Sequence, residues 1–124
     1  MADTLEFWHP QFNERLALDY FDWGRVVPGS SADRPFRLKN VSSTYTASDI
    51  TVSVQEMNTG GGSVSVAKQH YLSSDERFFS ATVTVSGLAP QAVSDRLILR
   101  RVTSLDADPG EHDFQLLAHA ATWL

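Results

Sequence analysis

The chain contains no cysteine. That excludes disulfides, thiolate zinc sites and cysteine nucleophiles together, and it suits folding in a reducing compartment. Basic residues are also scarce: 10 Lys and Arg against 15 Asp and Glu leave a formal charge of -5. A balance of that sign argues against DNA, RNA or anionic lipid as the main partner. Arg100-Arg101 is the densest basic cluster and is too small to reverse it. No apolar run approaches the length that spans a bilayer. The opening stretch "MADTLEFWHPQFNERLALDY" has early acids and lacks a basic segment followed by an apolar one, so no signal peptide is expected.

What is present is a globular composition, 42% hydrophobic and 20% charged, in a length that suits one domain. Its pattern has period two. Ile50, Val52 and Val54 alternate with Thr51, Ser53 and Gln55, and Val64 and Val66 repeat the scheme. Phe79, Ala81, Val83 and Val85 share one side of a third stretch, and Phe114, Leu116, Ala118 and Ala120 share one side of a fourth. Phe36 with Leu38, and Leu16 with Leu18 and Tyr20, supply further short alternations. Such Val-, Thr- and Phe-rich alternation marks half-buried strands. "VVPGSS", "NTGGGS", "SGLAPQA" and "DADPGEH" separate them as turns. "MNTGGGS" is expected to join two antiparallel strands as a hairpin loop. Helix is expected only as a turn or two near "HPQFNERLA".

One phrase occurs twice. Pro28, Asp33 and Arg34 in "VPGSSADRPFRLKN" match Pro90, Asp95 and Arg96 in "APQAVSDRLILRRV". Proline ends one segment, small residues bend the chain, and Asp-Arg is expected at the entrance of the next strand. These features together give an all-β antiparallel sandwich of about seven or eight strands. Residues 1–12 form an N-terminal arm or first strand, and residues 13–124 form the sandwich.

"DWGRVVPGSSADRPFRLKNVSSTYTASDITVSV" resembles the first half of bacterial immunoglobulin-like modules: aromatic-Gly-x-Val, a Pro-Gly turn, then a strand ending in Lys-Asn and a polar break. "GLAPQAVSDRLILRRVTSLDADPGEHDFQLLAHA" resembles their second half. The likeness is to the abnormal-spindle/Hydin and alpha-galactosidase-associated groups, and it runs from about Leu16 to the C-terminus. Gln91 departs from the pattern where the family has glycine, so the second turn is expected to avoid a positive φ. Read as a stand-alone module, the chain is similar to accessory structural proteins of tailed bacteriophages in head, neck or tail. The resemblance implies a non-enzymatic virion protein, made in the host cytoplasm, that assembles with other virion proteins as a homo-oligomer or symmetric array. The alternative is a carbohydrate-binding accessory module, which would present exposed rings in a row.

Candidate sites are few. The histidines His9, His70, His112 and His119 fall on separate segments with no close pair, and are expected at the surface or rim rather than on a metal. Asp106, Asp108, Glu111 and Asp113 crowd one turn and could wrap a hard cation. Their spacing is not that of an EF-hand, and an Asp-Pro-Gly turn explains them without an ion. No nucleophile elbow, phosphate loop or dinucleotide fingerprint occurs, so no cofactor is expected. Phe7, Trp8 and Phe12 are the candidate partner-binding residues, since aromatics in a separable arm suit docking on a neighbour.

Overall fold

The computed structural model describes residues 5–11, 14–17, 20–23, 26–57, 68–105 and 113–124. Its strands are β1 (Leu5–Trp8), β2 (Ser31–Asn40), β3 (Ala47–Met57), β4 (Lys68–Ser73), β5 (Thr82–Leu88), β6 (Leu97–Thr103) and β7 (Asp113–Trp123). All pairings are antiparallel. They form two sheets, ordered β1-β2-β6-β4 and β5-β3-β7. No helix occurs among the described residues. The all-β antiparallel sandwich expected from the alternation is therefore present. An immunoglobulin constant-type domain would order its strands 1-2-5-4 and 7-6-3, so the connectivity described here is a different one.

The core follows the period-two rows. Phe36 and Leu38 of β2, Leu97 and Leu99 of β6 and Leu72 of β4 are buried from one sheet. Ile50 and Val52 of β3 and Ala120 of β7 are buried from the other, with Phe114, Leu116 and Ala118 packed against them. Each fully buried side chain of this size stabilises the fold by about 1.5–3 kcal/mol. Asp49, with a φ of 50°, interrupts the alternation in β3, and both Ala47 and Ile50 end up buried.

Asn40 closes one end of the sandwich. It is fully buried, yet its amide donates to the carbonyls of Tyr45 at 2.8 Å, Leu88 at 2.9 Å and Ala89 at 3.2 Å. Its Oδ1 accepts the Ser42 amide at 2.9 Å. One side chain thus ties the end of β2 to the β5–β6 turn. The cost of burying an amide is met because every polar atom has a partner. Pro35 sits inside β2 without cost. Its carbonyl accepts the Tyr20 hydroxyl at 2.6 Å, so its peptide groups face away from β6 and no ladder bond is lost.

Four expectations change. β3 and β4 do not form a hairpin: both edges of β3 are taken by β5 and β7, and β4 pairs with β6 in the other sheet. Val64 and Val66, and most of the expected loop, lie outside the described residues. Asp33 and Arg34 are not at a strand entrance but within β2, which begins at Ser31, whereas Asp95 and Arg96 do directly precede β6. The twice-written phrase therefore has two structural meanings. Gln91 adopts a positive φ of 64° despite its side chain. Its Nε2 donates to the Val41 carbonyl at 2.8 Å and its amide to Ser42 at 3.1 Å, bonds that offset the strain. Finally, the alternation at Leu16 and Tyr20 makes no strand among the described residues, only the isolated bridge of Arg15 to Trp8.

Candidate functional site

At the end of the sandwich opposite Asn40, the inward rows turn polar. The row of Leu97 and Leu99 continues to Arg101, that of Leu38 and Phe36 runs back to Arg34, and that of Leu72 runs back to His70. His70 and Arg101 are register partners across β4 and β6, and Arg101 also faces Ala32 of β2, one step from Arg34. From the second sheet, Glu56 and Phe114 are register partners of β3 and β7. Tyr20, Phe21 and Trp23 lie over this end from the segment before β2.

His70 is 4% exposed. Its ring stacks on Phe114, with centroids 3.7 Å apart and planes 24° apart. The Trp23 indole donates Nε1–H to His70 Nε2 at 2.9 Å. An indole can only donate, so Nε2 is the unprotonated nitrogen and Nδ1 carries the hydrogen. Nδ1 lies 3.1 Å from each carboxylate oxygen of Glu56, and the His70 backbone amide donates to the same carboxylate. Both ring nitrogens are thereby engaged. The expectation that the histidines are surface or rim residues is corrected for His70, which burial places inside.

Two guanidinium groups approach the same indole. Arg34 Cζ is 4.8 Å from the Trp23 ring centroid and Arg101 Cζ is 5.3 Å from it, distances at which cation–π attraction operates. Arg34 donates to the Tyr20 carbonyl, and Arg101 Nη2 donates to Ser30 Oγ at 3.1 Å. Burial, and then the neighbouring charge of Arg34, pull the Arg101 guanidinium below its usual range. Burial pushes the Tyr20 phenol up, against the lowering influence of Arg34 and Arg96. The arrangement holds positive charge close to rings at one end of the core.

Elsewhere, the candidate residues fall as follows. Phe7 is half-buried, meets Phe36 edge-on with centroids 5.7 Å apart, and packs against the core. Trp8 is half-buried under Lys39, whose Nζ is 3.9 Å from the ring centroid. Residues 5–8 pair in cis with β2, and Phe12 lies outside the described residues. Asp106, Asp108 and Glu111 also lie outside them; Asp113 begins β7 opposite Met57, and its side chain is outside the description. No group of three metal-ligating side chains occurs among the described residues. Trp8, Trp23 and Trp123 are all half-buried, so the described tryptophans form no exposed row for a sugar.

No protein-family model matches the chain, and comparisons with curated proteins and with solved structures gave no match. The site must therefore be read from its own chemistry.

Proposed function

We propose that the chain is a non-enzymatic structural module that works through protein–protein contacts, in the setting of a tailed-phage virion. The observation that carries this reading is β7. It runs for 11 residues and pairs with β3 along one side, and its other edge makes no ladder with another described strand. Beyond Asp113 at its start, the row of Gln115, Leu117, His119 and Ala121 is exposed and carries neither carboxylate nor lysine. Long edges are usually blunted by short length, charge or proline unless another chain covers them. Strand addition by a neighbouring subunit supplies that cover and suits repeated, lattice-like contacts. The virion setting rests on the resemblance to accessory structural modules of tailed phages.

The test is self-association of the full chain. Sedimentation velocity and native mass spectrometry across a wide concentration range should show oligomers that Leu117→Lys abolishes while its circular dichroism stays unchanged. Peptides from the chain should also appear stoichiometrically in purified particles. A chain that stays monomeric at every concentration and is missing from particles refutes the reading.

A further inference from the structure

Arg100 and Arg101 occupy contrasting environments, and Arg37, whose Nε is also buried without a partner, donates through Nη1 to the Ser94 carbonyl at 3.0 Å. Arg100 sits on the outer face of β6 and meets Asp33 with two bonds, Nε at 2.8 Å and Nη2 at 3.0 Å from the carboxylate oxygens. Arg101, the next residue, turns inward and is 8% exposed. Its Nε is buried and has no hydrogen-bond partner. Among the described residues no carboxylate reaches ion-pair distance of Arg101 or Arg34. Glu56, the carboxylate at this end of the β3 row, is held by His70.

A buried donor without an acceptor is costly, and a buried cation without a counter-charge more so. Here two cations share one face of the β2–β6 ladder and one indole, and their mutual repulsion adds to that cost. Aromatic faces offset only part of it. What the cluster lacks is an anion, and guanidinium donors match planar or tetrahedral oxygen groups best. Arg34 and Trp23 are half-buried, so the pair reaches solvent on one side.

We propose that Arg34 and Arg101, which share the Trp23 indole, form an oxyanion-binding site for a carboxylate or phosphate group. Arg101 Nε supplies the unused donor, and Arg34 supplies the second charge at the solvent side. The inference is independent of how β7 is covered. The shared chemistry has two sources, a free anion or an acidic side chain of a neighbouring protein, and the experiment separates them.

Inorganic phosphate is titrated into the full chain at constant ionic strength against chloride, following melting temperature and the arginine Nε–H signals by nuclear magnetic resonance. The expected result is a saturable rise in melting temperature and a shift of the Arg101 Nε–H signal. Phosphate also stabilises proteins by exclusion from their surface, so the decisive comparison is between variants. Arg34→Gln should lose the saturable part, whereas Arg100→Gln, which removes an outward arginine, should keep it. If Arg34→Gln does not fold, Arg34→Lys retains the charge and should weaken rather than abolish the shift of the Arg101 signal. A parallel titration with a short glutamate-containing peptide assigns the source: saturation at lower concentration than phosphate points to a protein carboxylate, the reverse to a free anion. Melting temperatures that coincide in chloride, phosphate and peptide, or a saturable response unchanged in both Arg34 variants, would overturn the proposal.

Discussion

Replacing Phe7 with alanine tests whether the first strand belongs to its own domain. Phe7 is half-buried, lies opposite Leu38 in the β1–β2 ladder and touches the buried Phe36 ring edge-on. A fully buried Phe→Ala change costs about 3–5 kcal/mol, and half-burial reduces this to about 2 kcal/mol, including the lost ring pair. For 124 residues, the usual specific entropy gives an unfolding entropy of about 0.26 kcal/mol/K, so the melting temperature should fall by about 8 °C. Trp8→Ala removes the contact with Lys39 and the bond from its indole to Glu6 Oε1 at 3.2 Å. Being a more superficial loss of about 1 kcal/mol, it should lower the melting temperature by about 4 °C. Thermal unfolding followed by circular dichroism measures both. A fall of under about 2 °C for Phe7→Ala would refute the reasoning, because the strand would then be detached in solution and its rings free for a partner. A larger loss for Trp8 than for Phe7 would also refute it, since the two faces of β1 would be assigned the wrong way round.

Asn40→Ala should cost more than about 2 kcal/mol, because it strands the buried Ser42 amide and the Leu88 carbonyl; urea unfolding measures it, and a change under about 0.5 kcal/mol would contradict the role given to this side chain. Asp75 accepts the Phe78 and Arg77 amides and the Ser73 hydroxyl, and these bonds, in that order, hold its carboxyl below the ordinary value. Its folded-state pKa being depressed, its contribution is complete above about pH 4 and is lost as pH falls through the depressed value; Asp75→Asn should flatten that part of the stability profile, and an unchanged acid limb counts against it. Tyr20 is shifted the other way, so stability should fall as pH rises beyond about 10, a slope that Tyr20→Phe removes. Chelator should leave the melting temperature unchanged, and a calcium-dependent rise of several degrees would instead make ligands of Asp106 and Asp108.

Period-two alternation by itself determined the class of fold and most of the core. Ile50, Val52, Phe36, Leu38 and Ala120 are buried where their rows place them, because a strand sends alternate side chains to opposite faces regardless of its partner. The same rule, carried two residues further, also contains the site. Glu56 follows Val52 and Val54, Arg101 follows Leu97 and Leu99, Arg34 precedes Phe36, and His70 precedes Leu72. Each alone looks like a polar residue at the frayed end of a strand, and nothing local distinguishes it from a rim position. Only strand order decided otherwise. Pairing β2 with β6 and β6 with β4 sets His70 opposite Arg101 and Arg34 one row-step away, three polar row-ends from distant parts of the chain, and sheet stacking sets Glu56 and Phe114 against them. The crossing of β3 and β4 between sheets was equally hidden, since turn residues fix a local bend but not which edge the next strand will find open. Alternation is a property of one segment, whereas edges, registers and the coincidence of charges depend on several segments at once, and those the folded chain alone decides.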